Sequence, residues 1–174
     1  MRYLFGFLGF CNTAIETLIQ YVMKTEQKRC PCHEVQIHYR RPIFDVPKKI
    51  ASSEDADALL REFIDLGRID HKEFFWLLLL NNSNYVIGMS EIGAGNTTGV
   101  CVNFKEIFQL AILANATGII VAHNHPSGKL ELSASDIQVT QKLRESTKLL
   151  DITLLDHLII TSEGFRSLSD DGKL

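Results

Sequence analysis

Two histidines and one aspartate of this chain have the types and the spacing of metal ligands. His123 and His125 are separated by a single residue, and Asp136 follows them beyond a short turn. On an extended segment, residues two apart project from the same side, so both imidazoles can converge on one ion. A catalytic zinc ion has three protein ligands and keeps its fourth position for water, whose pKa it lowers to about 7. The three residues therefore predict a site for one Zn²⁺ per chain.

The segment between the histidines and the aspartate has the composition of a turn followed by a helix start. Pro126-Ser127-Gly128 is turn chemistry, and Ser133 and Asp136 form the Ser-x-x-Asp pattern of a capping box. This pattern places Asp136 in the first helical turn, from which the loop can return it to the histidines. Capping without any chemistry is the other interpretation. Both roles stay open for Ser133, because its hydroxyl can cap the helix with its lone pairs and donate its proton to an oxyanion.

The combined spacing His-x-His-x7-Ser-x-x-Asp that begins at His123 resembles the JAMM metalloprotease signature of JAB/MPN-type domains. The fuller string His-Asn-His-Pro-Ser-Gly is similar to that of the RadC-like branch of this family. The resemblance implies a zinc-dependent hydrolase of amide or isopeptide bonds that acts on a peptide or protein substrate. It also implies a cytidine-deaminase-like three-layer fold.

The resemblance extends over residues 50–174 and includes both matches and departures. Glu91-Ile-Gly-Ala-Gly95 and Leu155-Asp156-His157 match further parts of the RadC-like pattern. Leu132 stands where a proline usually precedes the signature serine, and Phe104-Lys105-Glu106 stands where Pro-Arg-Glu is common. Lys105 keeps the positive charge but not the two-pronged hydrogen bonding of arginine. The helix-hairpin-helix segment of longer relatives is not recognisable, so the resemblance does not carry a DNA-binding role over to this chain.

Two further side chains are candidates for proton transfer or for support of the ligands. A carboxylate near the metal can take a proton from water and return it to the leaving amine, and Glu91 is predicted to do so on a strand beside that of His123. The resemblance implies the same role, and the alternative is a solvated acid at a strand end. His157 lies in an apolar strand, where a structural histidine is expected rather than a fourth ligand that would close the site to water. A hydrogen bond to a ligand is the third option for His157. Asn124 is expected to point away from the metal.

Apolar periodicity predicts helices and strands in alternation. The predicted strand over 118–123 delivers His123 at its carboxyl end, where open α/β sheets place ligands. Because hairpin strands and helix-connected strands occur together, we expect an α/β fold with a mixed β-sheet and helices on its faces. The predicted strands cover 34–40, 73–80, 85–91, 118–123 and 152–161, and the predicted helices cover 53–66, 104–116 and 135–150.

Composition and charge restrict the class of protein and of partner. The chain has 174 residues with 45% hydrophobic content, enough for one globular domain with a core. With 18 basic and 21 acidic residues, the net charge of −3 offers no electrostatic support for binding nucleic acid. The alternative to a hydrolase is nevertheless an accessory domain of DNA repair or of a mobile element, whose metal site is structural or vestigial. Salt-dependent DNA binding would favour that alternative.

The amino-terminal segment is predicted to be an extension over residues 1–33, followed by the metallo-domain over 34–174. Its first residues resemble a weak signal sequence, but Asn12 and Glu16 interrupt the apolar run, and Met23 is an alternative start. The run is too short to cross a membrane. The four cysteines, Cys11, Cys30, Cys32 and Cys101, form no spaced framework, so we expect a reducing, cytoplasmic location and no second metal knuckle at Cys30-Pro-Cys32-His33.

Overall fold

The structure, a computed structural model, describes residues 37–40, 42–95 and 101–174. The elements below all lie in one compact unit, Tyr39–Leu174. The predicted extension and the cysteine knuckle lie outside the described residues. Within the described ranges, no helix has the length and apolar character needed to span a bilayer. The strand predicted over 34–40 is not formed at residues 37–40, where Ile37 is 94% exposed, because alternation without a partner strand does not stabilise a strand.

Five strands form one mixed sheet in the order β2-β1-β3-β4-β5. Strand β1 pairs antiparallel with β2 and β3, β3 pairs parallel with β4, and β4 pairs antiparallel with β5. A helix joins the parallel strands, as a parallel crossover requires. The strands are β1 (Phe74–Leu80), β2 (Val86–Ala94), β3 (Gly118–Asn124), β4 (Thr153–Ile160) and β5 (Phe165–Ser167), and the helices are α1 (Ser53–Phe63), α2 (Phe104–Leu113) and α3 (Ala134–Lys148).

The sheet is covered on both faces because its central strands are apolar on both sides. All seven residues of β1 and of β3 are buried. On one face, Ala56 and Leu60 of α1 pack against the side chains of Trp76 and Leu78. On the other face, the core includes Phe75 and Leu77 of β1, Val121 of β3, Ile107 and Ala111 of α2, and Leu143 of α3. The fold is therefore a three-layer α/β arrangement with a mixed sheet, which confirms the predicted fold class.

Local backbone chemistry explains where several elements end. Asn81 accepts hydrogen bonds from the N–H groups of Ser83 and Tyr85, and Asn84 has a φ of 60°, which closes the turn between β1 and β2. Helix α2 ends at Leu113 rather than at the predicted residue 116, because Asn115 adopts a φ of 51° that a helix cannot contain. Strand β5 was not anticipated from the sequence, since its three residues carry no periodic signal.

Candidate metal centre

Strand β3 delivers the two histidines to one point beyond its carboxyl end. His123 is the last but one residue of the strand and is 3% exposed, because it is paired with Phe75 in β1 and Ile159 in β4. The ring of Phe75 stacks on His123 with the planes inclined by 12°. His125 leaves the strand, and its backbone N–H still donates to the carbonyl of Ile160 over 3.0 Å. The neighbouring strands therefore hold the backbone on both sides of the His-x-His pair.

Helix α3 delivers the aspartate through its amino-terminal cap. The N–H of Asp136 donates to the hydroxyl of Ser133 over 3.2 Å, and the Asp136 Oδ2 accepts from the N–H of Ser133 over 2.7 Å. These two bonds form the capping box that the sequence predicts. They orient the carboxylate toward the two histidines, and the helix amino terminus also favours its negative charge. Capping and ligand positioning are thus one arrangement here.

One donor atom from each of these three residues lies within 4.8 Å of the other two. His123 Nε2 lies 3.0 Å from His125 Nε2 and 3.3 Å from Asp136 Oδ1, and His125 Nε2 lies 3.6 Å from Asp136 Oδ2. Four ligands at zinc distances place neighbouring donor atoms about 3.3–3.6 Å apart. Two imidazoles and one carboxylate are also ligands that zinc accepts. The residues present therefore fit a zinc ion in type and number, and their donor atoms face one another closely enough to share one ion.

The loop after His125 fixes which of its ring nitrogens is free. His125 Nδ1 lies 2.8 Å from the carbonyl oxygen of Lys129, which can only accept, so Nδ1 carries the proton. The Nε2 of a neutral His125 then presents a lone pair toward Asp136. A turn with Gly128 at a φ of 75° begins this loop, and Arg166 Nη1 donates to the carbonyl of Leu130 over 3.1 Å. The loop therefore has the outer hydrogen bond that typically orients a histidine ligand.

His157 contacts the site from behind His123 and not among the donor atoms. Its Nε2 lies 2.8 Å from His123 Nδ1, on the side of that ring opposite the Nε2 that faces Asp136. Burial lowers the pKa of His157 well below its ordinary value, with the neighbouring His123 contributing, so the ring is neutral near pH 7. His157 therefore occupies the position of a supporting group, and an ion held by the three facing residues would have a further position for water.

The charges of the facing residues shift two pKa values in opposite directions. The hydrogen bond to Asp136 raises the pKa of His125 above its usual 6.5, against the opposing effect of burial. Burial favours a higher pKa for Asp136, but the hydrogen bonds from His123 and His125 outweigh it and lower that pKa well below 3.8. Without a metal, the site therefore holds an anionic carboxylate beside a histidine that takes up a proton readily.

An open cavity of about 610 Å³ gives access to the three donor atoms. His123, His125 and Asp136 form part of its wall, and Ser133 also lines it. The hydroxyl of Ser133 lies 2.7 Å from that of Ser135, a second serine of the wall. The remaining lining includes the apolar residues Phe75, Val102, Leu132 and Val139 and the polar residues Glu73, Lys129 and Glu131. The three donor residues can therefore be reached from solvent through this cavity.

The structure does not bring Glu91 to this cavity, and its expected placement beside the ligands is corrected. In the register of β1 and β2, Glu91 lies opposite Trp76, whose side chain belongs to the core on the face of the sheet away from His123. On that face, the Glu91 carboxylate lies 4.0 Å from the guanidinium of Arg68. A β-bulge between Phe75 and Trp76 is the cause. In an uninterrupted register the partner of Trp76 would be Ile92, and Glu91 would share the face of the site.

Glu73 is the carboxylate that the structure places in the cavity wall, and sequence reasoning missed it. It directly precedes β1 and, by strand alternation, shares the face of Phe75, whose partner is His123. Glu73 is half-buried, and its negative charge helps to raise the pKa of His125. In the sequence, the only indication of this role was that Glu73 stands two residues before Phe75 at the start of an apolar strand. The pairing of β1 with β3 is what places Glu73 on the same side as the histidines.

Asn124, to which no chemistry was assigned, points away from the ligands and holds the segment that carries Glu73. Its Oδ1 accepts from the N–H of Phe74 over 2.7 Å, and its Nδ2 donates to the carbonyls of Ile69 and Lys72. The side chain is fully buried. Both N–H groups of the amide and its oxygen therefore make hydrogen bonds to this segment, and they tie β3 to the start of β1.

Comparison with known proteins finds a family model and several relatives that match this chain. A family model described as "RadC-like JAB domain" matches residues 50–173. Relatives include a UPF0758 protein of Flavobacterium johnsoniae, 43% identical over 72% of this chain and 53% of the relative, and one of Rubrobacter xylanophilus, 39% identical over the same shares. A UPF0758 protein of Staphylococcus aureus is 42% identical over 69% of this chain and 51% of the relative. The chain thus spans about half the length of the curated relatives it matches.

Proposed function

Since the chain belongs to the RadC-like JAB domain family, we propose that it is a zinc-dependent metallohydrolase that cleaves amide bonds of a peptide or protein. The bond is a main-chain peptide bond or an isopeptide bond. One observation carries the proposal. The donor atoms of His123, His125 and Asp136 lie within 4.8 Å of one another in the wall of an open cavity. A closed structural site would instead surround the ion with four protein ligands.

Zinc held by these residues would supply Lewis acidity, lowering the pKa of water to about 7 and polarising a carbonyl group. The chain's own contribution is to keep the three donor atoms in place and accessible. The capping box holds Asp136, the carbonyl of Lys129 holds His125, and the sheet holds His123. None of these three groups needs to move when a substrate enters the cavity, which favours a preorganised site.

Glu73 is proposed as the general base and general acid. Its side chain belongs to the wall of the cavity that holds the three donor residues, and its charge acts on His125. There it would take a proton from the attacking water and return it to the nitrogen of the leaving amine. Glu73 replaces Glu91 in this role, because the Glu91 side chain lies on the opposite face of the sheet.

Ser133 is proposed to stabilise the negative charge that develops on the carbonyl oxygen of the substrate. Its lone pairs accept the N–H of Asp136, which leaves the hydroxyl proton available for donation into the cavity. Removal of a comparable donor from an enzyme lowers turnover by about 10²- to 10³-fold. The adjacent hydroxyl of Ser135 is the group to which Ser133 can donate when the cavity contains no substrate.

Metal analysis and peptide digestion test the proposal. Chain purified without chelators and exposed to zinc is expected to hold one equivalent, and His123→Ala and Asp136→Ala should lose it. His71→Ala, at an exposed histidine away from the site, is the matched control and should keep it. The zinc-loaded chain should cleave members of a diverse peptide or isopeptide library, as followed by mass spectrometry. Absence of bound zinc from the unaltered chain would overturn the metal assignment, and equal cleavage by the zinc-free chain would overturn the mechanism.

A further inference from the structure

A continuous chain of buried hydrogen bonds leads from helix α3 to the first histidine of the site. The hydroxyl of Thr140 lies 2.6 Å from the backbone carbonyl of Asp136 and 2.6 Å from His157 Nδ1. The other ring nitrogen of His157, Nε2, lies 2.8 Å from His123 Nδ1. All three side chains are at most 4% exposed, so solvent does not exchange with these groups readily. Protons in such a chain have few permitted positions.

The single proton of the Thr140 hydroxyl determines the direction of the whole chain. The carbonyl of Asp136 can only accept, and two oxygen atoms 2.6 Å apart repel each other unless a proton lies between them. Thr140 therefore donates to this carbonyl, and it accepts from His157 Nδ1–H. The Nε2 of His157 is then the unprotonated nitrogen, so it accepts from His123 Nδ1–H.

We propose that Thr140 and His157 are positioning residues that hold His123 as its Nδ1–H tautomer and direct its Nε2 lone pair at the metal position. This inference rests on the proposed function, since it assigns the metal to the three facing residues. It gives Asp136 two tasks, because its side chain is a ligand and its backbone carbonyl orders the proton chain. The opposite direction of the chain would place a proton on His123 Nε2, where it competes with the metal.

The substitution Thr140→Val tests the direction of the chain because valine has the shape of threonine without its hydroxyl. His157 Nδ1–H would then lose its buried acceptor, so His157 should change to the Nε2–H tautomer and donate to His123. The affinity for Co²⁺, measured by competition with a chromophoric chelator, is expected to fall about 10- to 100-fold. Thr140→Ser keeps the hydroxyl and should restore most of the affinity. Thr147→Val, at another buried threonine of α3 that donates to the carbonyl of Arg144, should leave the affinity unchanged.

Long-range ¹H–¹⁵N NMR of the metal-free chain reads the tautomer directly. His157, whose two ring nitrogens contact Thr140 and His123, is expected as Nδ1–H in the unaltered chain and as Nε2–H in Thr140→Val. A purely structural role of Thr140 would lower stability without changing the tautomer. The inference is overturned by an Nε2–H tautomer of His157 in the unaltered chain, or by equal Co²⁺ affinity of Thr140→Val and the unaltered chain. If the unaltered chain binds no metal while its NMR spectrum shows the expected tautomer, the proposed function fails and the proton chain stands.

Discussion

The side-chain oxygen of Asn124 accepts a 2.7 Å hydrogen bond from the backbone N–H of Phe74, the residue that follows Glu73. Asn124 lies between the two histidine ligands in the sequence and points to the other side of β3. Strand β3 therefore directs His123 to one side and, on the other side, the amide of Asn124 that fixes the start of β1. The positions of the proposed ligands and of the proposed base are coupled through this single residue.

Substitution of Asn124 by aspartate should destabilise the protein strongly. The carboxylate has almost the same shape, but it cannot donate to the carbonyls of Ile69 and Lys72, which are then left facing a negative charge. We expect the free energy of unfolding in urea to fall by about 2–5 kcal/mol. Asn81→Asp is the matched control, because the Asn81 side chain acts in its turn as an acceptor from Ser83 and Tyr85. It should change stability by less than about 0.5 kcal/mol, and equal losses in both variants would contradict the assigned role.

Glu73→Gln and Glu91→Gln should separate the two candidate carboxylates. Both variants are expected to retain one zinc, since neither residue is among the three facing donor groups. Glu73→Gln should lower kcat on a cleaved peptide by about 10²- to 10⁴-fold, because glutamine cannot accept the proton. Glu91→Gln should lose no more than a few-fold, since Glu91 lies on the other face of the sheet. A large loss in Glu91→Gln with normal turnover in Glu73→Gln would reverse the assignment.

Ser133→Ala should lower both stability and kcat, whereas Ser52→Ala should lower stability alone. Both serines cap a helix, with an aspartate completing the capping box at the third helical position. Each variant should lower the free energy of unfolding by about 1 kcal/mol. Only Ser133 lines the cavity of the metal site, so Ser133→Ala alone should also lower kcat by about 10²-fold. Unchanged kcat in Ser133→Ala would restrict the residue to helix capping.

The stability of the metal-free protein should depend on pH through Asp136 and His125. The lowered pKa of Asp136 adds stability above its ordinary 3.8, which is lost as the pH falls through the folded-state pKa. The raised pKa of His125 adds stability below its ordinary 6.5, which is lost as the pH rises through the folded-state pKa. The contribution of the pair is therefore greatest between these two ordinary values.

Asp136→Asn measures this contribution by chelator-treated urea unfolding between about pH 5 and pH 9. The difference from the unaltered chain should be largest at the acidic end and should shrink as the pH rises through the pKa of His125. Asp55→Asn is the control, because Asp55 completes the capping box of α1 by accepting from the N–H of Ser52. Its difference should stay constant over this range. A pH-independent difference for Asp136→Asn would show that no proton is held between the two residues.

The sequence by itself determined the features that depend on short-range order. A His-x-His pair at the end of a strand and a Ser-x-x-Asp capping box each fix the direction of their side chains locally, so His123, His125 and Asp136 could be predicted as a group of candidate ligands. The order of helices and strands followed from apolar periodicity for the same reason.

Only the tertiary structure decided which distant residues face the site. The bulge in the pairing of β1 with β2 moves Glu91 to the opposite face, and a one-residue change of register leaves no trace in the local pattern. The pairing of β1 with β3 brings Glu73 into the cavity wall, and the parallel pairing of β3 with β4 places His157 against His123. Strand register and helix packing are long-range properties, because they depend on the surfaces that separate elements bury together.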